Sequence, residues 1–382
     1  MKNLTSIFVF LVGVCANAQT ALYNAGDMQL HANAEVGFHT SFVNDAPFDQ
    51  NLGLVGFYGT NFLNIQGTVA PVFYDFEVNA DNGVALNIAT NVTNSANFIY
   101  GDVITPKSQP DIYFGILNNA IYTGESNDSK VNGFTLTTNQ ANYSFPIGDD
   151  QQLRRLELRS ESTNLTTKSA YFFENPNAPI SFATIFETNE TARQLDLVNS
   201  REFWKLEGSV PSQIELIWNT RSEIGSLSDI LENLLVVGWN KTNQEWEILG
   251  NTAVSGDLDS GRIISGTFTP DDYEILTIGS LLVPQDRLTI DNFFLSPNGD
   301  GINDTLIIEE LELSPNNELR IYDRNGLLVF QKENYTNEFT GISNSDNLVI
   351  NREQGLPAGI YYYVVKLIDL GSEFQGFLYL AQ

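Results

Sequence analysis

VFYDFEVNADNGVALNIATNVTNSANFIYGDVITP, Val72 to Pro106, decides how the first half of this chain is built. Val72, Tyr74, Phe76 and Val78 alternate with polar residues and share one face of an extended strand. Asn82-Gly83 then turns the chain, because Gly reaches the left-handed region without steric cost. Val84, Leu86 and Ile88 share a face again, and Phe98 to Tyr100 and Val103-Ile104 come next. Short apolar strands at regular intervals, cornered by Asn and Gly, predict the coils of a β-solenoid. The repeat is imperfect, and the same pattern also allows an ordinary β-sandwich. Gln19 to about residue 125 reads this way throughout.

Outward from that stretch, strand signals continue and sustained helical periodicity does not. SLSDILEN, Ser226 to Asn233, is the one segment that predicts a short helix, with Ser226 or Ser228 as its cap. From residue 126 to 285 the strands lengthen and predict a β-sandwich. QIELIWN, Gln213 to Asn219, places Ile214, Leu216 and Trp218 on one face. LLVVGWNKTNQEWEIL, Leu234 to Leu249, is a strand, a polar corner and a return strand. All four tryptophans, Trp204, Trp218, Trp239 and Trp246, fall in this block. Such a set packs a core or stacks on sugar rings. LLVPQD, Leu281 to Asp286, links the block to the rest.

The 382 residues include 47 acidic and 19 basic ones, for a formal net charge of -28. A surface of that sign repels phosphate backbones, so nucleic acid is excluded as a partner. It also favours solubility. The 25 Phe and 15 Tyr argue against a disordered chain.

The first residues, MKNLTSIFVFLVGVCANAQT, read as a signal peptide over residues 1–18. Lys2 gives the basic start, Leu4 to Val14 the apolar stretch and Ala16-Asn17-Ala18 the cleavage pattern. Cys15, the only cysteine, leaves with it, so no disulfide or thiol chemistry is expected afterwards. No later apolar run reaches membrane-spanning length.

Catalytic signals are missing. His31 and His39 are the only histidines, too few for a zinc site without Cys. No nucleophile elbow, H-E-x-x-H or phosphate-binding loop is present. A pair of carboxylates for glycoside hydrolysis is the one arrangement that 47 acidic residues leave open, and nothing marks such a pair. The expectation is a non-enzymatic protein without a cofactor.

One polar stretch invites a metal. Asn298, Asp300, Asn303 and Asp304 place oxygen side chains around Gly299 and Gly301, as part of a calcium loop would. The match lacks the closing Glu; Glu309 and Glu310 are near but fall on the next strand signal. Two Asx turns explain the same residues. Asp257, Asp259 and Asp149-Asp150 repeat the theme more weakly.

After that stretch come LRIYDRNGLLVFQ (Leu319 to Gln331), a hairpin signal around Asn325-Gly326, then LPAGIYYYVVKL (Leu356 to Leu367) and GFLYLAQ (Gly376 to Gln382). Several short strands in residues 286–382 predict a small immunoglobulin-like β-sandwich. Four spaced segments, Pro297 to Asp304, Ile321 to Gly326, Tyr335 to Gly341 and Leu356 to Tyr363, resemble the gliding-motility-associated C-terminal domain, the type B sorting domain of the type IX secretion system. Two departures are Phe339, where the family often has Trp, and the Ala381-Gln382 end, where it often has a basic residue. YSFPIGDDQQLRRLEL (Tyr143 to Leu158), EFWKLEGSV (Glu202 to Val210) and the Trp239/Trp246 hairpin resemble segments found ahead of such domains in related surface proteins.

The resemblance implies a domain read by an outer-membrane secretion machine after export to the periplasm, with everything before it as cargo. It implies a PorP/SprF-like outer-membrane partner and a secreted or cell-surface location. The cargo's expected work is adhesion, surface coating or support of gliding. Carbohydrate binding through the tryptophans, with surface glycans as partners, is the rival reading, and a secreted glycoside hydrolase a second.

Overall fold

The computed structural model describes residues 21–26, 28–282, 293–308, 311, 314–345 and 355–381. The signal-peptide segment, most of the Leu281–Asp286 link, Glu309, Glu310 and Gln382 lie outside the described residues. The fold is all-β, with 50% of residues in strands and 4% helical, and it opens with a β-solenoid of about 6 turns. Of the two arrangements the sequence allows for this half, the solenoid is the one adopted.

Two parallel ladders make its walls. One runs through Ala21–Asn24, Ser41–Asn44, Leu63–Gly67, Val84–Leu86, Val103–Ile104 and Val131–Asn132. The other runs through Glu35–Phe38, Leu54–Gly59, Val72–Ala80, Thr90–Tyr100, Phe114–Ile116 and Thr135–Phe145. Between the walls phenylalanines stack turn upon turn. Phe38 lies on Phe57 with centroids 5.0 Å apart, Phe57 meets Phe73 at 6.2 Å, and Phe76 meets Phe114 at 5.0 Å. Each such pair adds about 0.5–1.5 kcal/mol beyond the area it buries.

The corners carry asparagines for a physical reason. A solenoid corner buries backbone groups that no ladder pairs, and a carboxamide can serve both a donor and an acceptor. Asn44 Oδ1 accepts from Asn24 Nδ2, 20 positions earlier, at 2.7 Å, and Asn44 Nδ2 donates to Val69 O at 2.7 Å. Asn51 accepts from Leu30 N at 2.9 Å and donates to Val72 O at 2.8 Å.

The turn at Asn82-Gly83 forms as the sequence predicts, with Gly83 at φ 73° and its N–H on Ala80 O at 2.8 Å. Val84 and Leu86 point inward together. The phase of Val72–Ala80 differs from the expectation. Phe73, Phe76, Val78 and Ala80 are the buried residues, while Val72 and Tyr74 are half-buried. The ladder to the next turn shifts register between Phe73 and Asp75, and such a slip moves side chains to the other face.

The second wall does not end with the solenoid. Thr135–Phe145 is parallel to Phe114–Ile116 on one side and antiparallel to Leu156–Phe172 on the other. The 17-residue strand Leu156–Phe172 then divides its free edge between Ser212–Trp218 and Phe203–Glu207. The sheet continues through Tyr273–Leu281 and Leu234–Asn240 to Trp246–Gly250. One buried cluster runs from Leu30 to Ile278, so the solenoid and these longer strands share a core.

Ser226–Asn233 is not a helix. Two separate 3₁₀ turns, Ile224–Ser226 and Leu231–Asn233, occupy its two ends, and Ile230 between them is extended at φ -121°, ψ 120°. Ser228 Oγ accepts from Ile230 N and donates to Ile230 O, both at 3.0 Å, which gives the backbone a local alternative to helical bonding.

The C-terminal residues form a five-stranded sheet in the order Phe293–Leu295, Ser372–Leu380, Gly359–Leu367, Asn317–Tyr322, Leu328–Glu333. It has its own buried cluster, from Leu295 to Leu380. The Asn325-Gly326 hairpin forms as expected: Gly326 has φ 80°, and Asp323 Oδ1 accepts from Asn325 N and Leu327 N at 2.8 Å each. Among the described residues the inner face is covered by non-strand segments. Tyr335 ties them together, donating to Leu306 O at 2.6 Å and accepting from Phe339 N at 3.1 Å.

Candidate functional site

The loop from Ser296 to Asp304 hangs on its own side chains. Asp304 accepts from Gly299 N at 2.7 Å and from Gly301 N at 2.8 Å, one with each carboxylate oxygen. Asn298 Oδ1 accepts from Asp300 N at 2.9 Å, and Asp300 Oδ1 from Ile302 N at 2.8 Å. Asn298 Nδ2 closes on Asp300 Oδ2 at 3.0 Å. Gly299 and Gly301 sit at φ 80° and 84°, where a Cβ is strained, and Asn303 at 56°. The amides of Gly299 and Gly301 hold the Asp304 carboxyl below its ordinary range, as hydrogen bonding to a charged form does.

Of the four residues read as calcium ligands, Asn298, Asp300 and Asp304 are therefore joined in one network, with their oxygens turned to backbone amides. This is the geometry of successive Asx turns. Among the described residues no group of three or more His, Cys, Asp or Glu is placed to hold a metal ion.

The loop is one wall of an open cleft of about 1020 Å³. Pro297, Asn298, Gly299 and Asp304 line it, opposite Thr340 to Ile342, Leu356 to Ala358, and Leu380 with Ala381. Segments far apart in sequence thus meet in one place: the P-N-G-D-G stretch, the corner glycine Gly341, the L-P-x-G turn and the end of the closing strand. The hairpin Ile321 to Gly326 does not line this cleft. Gly341 has φ 78°, and a Cβ there would press on Leu380 at 3.0 Å.

Beside the cleft the outer face of the five-stranded sheet is aromatic. Phe294, Tyr379 and Ile360 stand in one cross-strand row, and Phe377, Tyr362 and Tyr322 in the next. Phe294 stacks on Tyr379 at 5.9 Å and 15°. Phe294 is 52% exposed and Tyr362 51%. The run IYYYVV reads as a strand in the sequence, and the alternation of that strand turns every second aromatic outward, a consequence the strand signal alone does not announce.

The other sequence-marked residues do not gather. All four tryptophans are at most 4% exposed. Trp239 and Trp246 pair across their strands at 5.7 Å, edge to face. Rings packed this way present no free face to a sugar, so a tryptophan platform is ruled out. His31 and His39 are exposed, and His39 lies 5.8 Å from the Tyr58 ring. Asp257 accepts from Asp259 N and Ser260 N, a solvated turn. Asp149 is bound to Arg221 at 2.6 Å.

No helix among the described residues is long and apolar enough to cross a membrane. No curated protein and no solved structure matches the chain. The segment that holds the cleft and the aromatic face does have a match: residues 288–380 fit the family model of the CHU_C Type IX secretion signal domain, and this part of the chain is a type IX secretion signal that marks the protein for export to the cell surface or beyond.

Proposed function

We propose that this is a non-enzymatic cell-surface protein whose solenoid and long-strand block form a passive, adhesive or surface-coating cargo, associated with gliding. The C-terminal domain acts as its address, read after passage through the periplasm by a PorP/SprF-like outer-membrane partner. One observation carries this reading. Three of the four segments that resemble the sorting family contribute residues to a single cleft next to an exposed aromatic face, on a domain with its own buried core. Exposed aromatic surface on a small domain suits a protein partner. For the domain's architecture we propose an immunoglobulin-like sandwich, supported by the layer that Leu306 and the Tyr335–Gly341 segment lay over the sheet.

The test is transplantation. Residues 283–382 fused behind a signal peptide and a passive reporter should bring the reporter to the cell surface. Ala358→Trp, at an exposed position that lines the cleft, should fill it and leave a folded reporter fusion inside the envelope. A reporter that reaches the surface with the cleft blocked removes the cleft from the reading. One that stays inside with the intact domain and its partner present removes the reading altogether.

A further inference from the structure

A second cleft, of about 440 Å³, lies where the last solenoid turns meet the long-strand block. Its polar side chains fall into two groups. The first is fully engaged. Arg221 is clamped between Asp149, at 2.6 Å, and the face of Phe173, 4.0 Å from its centre. Glu174 accepts from Ile180 N at 2.8 Å, Ser181 N at 3.0 Å and Ser181 Oγ at 2.6 Å.

The second group is not engaged. Lys107, Asn132, Asp150 and Gln151 line the cleft, and their side chains have no hydrogen bond or ion pair to any described residue. Lys107 follows the strand Val103–Ile104, and its ammonium sits 5.5 Å from the centre of the buried Phe172 ring. Burial lowers its pKa. Asp149, Glu174, Asp150 and Asp102 act against that burial from a distance, but none forms an ion pair or hydrogen bond with it, and a partly desolvated cation with no directly bonded anion is costly. Thr105 also lines the cleft; its Oγ1 accepts from Phe134 N at 2.7 Å, which leaves its own proton to donate.

The free groups are thus one cation, one carboxylate, two carboxamides and a hydroxyl. A dianion such as phosphate would meet Asp149, Asp150 and Glu174 in the same walls. A ligand with one carboxylate and several hydroxyls answers each free group in turn, and clefts of this size at the junction of structural blocks are common ligand sites. We propose that this cleft binds a sugar ring bearing a carboxylate, a hexuronate unit, with Lys107 taking the carboxylate and Asn132, Asp150 and Gln151 taking hydroxyls. The inference does not depend on the sorting signal or on its cleft.

Titration of the full exported chain with glucuronate, glucose and acetate tests it by calorimetry. Glucuronate should bind saturably and about tenfold tighter than glucose, the worth of one charge-assisted hydrogen bond, with acetate weaker than glucuronate. Lys107→Met should abolish the preference for glucuronate over glucose. Gln151 is exposed, so Gln151→Ala should fold normally and weaken both sugars several-fold. The proposal is overturned if glucuronate shows no saturable binding, if glucose or acetate binds as well, or if folded Lys107→Met keeps the preference. Unchanged sugar binding in Gln151→Ala overturns it as well, and does so even if Lys107→Met fails to fold.

Discussion

Replacing Asn44 by Leu isolates what the corner asparagines do. The two side chains share the same branched heavy-atom skeleton, so the change removes the hydrogen bonds while keeping the shape, and the bulkier methyls add to the strain rather than relieve it. Asn44 is fully buried and serves Asn24 Nδ2 and Val69 O, each at 2.7 Å. In Asn44→Leu the Asn24 amide keeps only the long contacts to Ala46 O and Pro47 O at 3.5 Å, and Val69 O loses its side-chain donor. Each buried group left unsatisfied costs about 1–3 kcal/mol, so the first solenoid turns should lose about 3 kcal/mol. Solenoid stability is a sum of local and neighbour terms, and the loss should therefore stay local. Native-state hydrogen exchange reads this directly. The amide of Asp45, bonded to Asn24 O at 3.0 Å, and that of Val69, bonded to Asn44 O at 3.1 Å, should exchange roughly a hundredfold faster. Amides in Ser372–Leu380, which belong to a separate sheet and core, should not change. If Asp45 and Val69 change by less than about twofold in the folded variant, the carboxamide ladder does not hold the turns together and the reasoning fails.

Four further outcomes are expected. Gly101→Ala should abolish folding of the solenoid, because Gly101 has φ 82° and a Cβ there would stand 1.8 Å from Ala80 O; a soluble, strand-rich variant by circular dichroism would contradict this. Tyr335→Phe leaves Leu306 O and Phe339 N without their partner and should destabilise the C-terminal domain by about 2 kcal/mol in urea titration, with less protein at the surface. Burial works to raise the Asp149 carboxyl, but Arg221 and the amides of Gln151 and Gln152 outweigh it and hold the pKa below 3.8. Its stabilising contribution is therefore complete above the unfolded value of 3.8 and fades as pH falls through the lower folded value; in Asp149→Asn that part of the acid sensitivity should vanish from urea midpoints. Because the loop stands on its Asx turns, a chelator should leave the melting temperature of the whole chain unchanged; a drop would show that Asn298, Asp300, Asn303 and Asp304 hold calcium.

How much of the fold is legible in the sequence depends on how local each signal is. The Asn82-Gly83 turn and the Asn325-Gly326 hairpin depend on residues next to one another, and both form where the sequence places them. The inward pair Val84 and Leu86 obeys strict alternation. Val72–Ala80 defeats the same rule because Phe73 and Tyr74 are both aromatic, so nothing in the pattern reveals the slip between Phe73 and Asp75. Ser226–Asn233 has helical composition, yet the Ser228 hydroxyl captures the Ile230 backbone. The cleft is half legible. Resemblance marks Pro297 to Asp304, Gly341 and Leu356 to Tyr363, but only the folded sheet brings these to Leu380. Lys107 is invisible as a site, since a lysine after a proline reads as a solvated corner until Phe172 and the cleft are seen around it.

The way the solenoid ends explains why its two ends should differ. A stack of parallel turns offers an open ladder at each end, which invites pairing with another chain. At the C-terminal end Thr135–Phe145 accepts the antiparallel strand Leu156–Phe172, paired from Thr135 with Ser169 to Phe145 with Leu156, and the sheet carries on into the long-strand block. That end is capped by structure that shares its core, as repeat folds require. The first turn has no such cover among the described residues. Its strands Ala21–Asn24 and Glu35–Phe38 have four residues each, and Leu22 and Tyr23 are 40% and 56% exposed. Short strands limit what an edge can recruit, but they also have little to hold them. Asn24, tied inward to Asn44, is the main polar anchor of the first strand. Amide protection should therefore rise from Ala21 toward Leu156 in the intact protein, and a flat profile along the solenoid would show that its turns do not add up one by one.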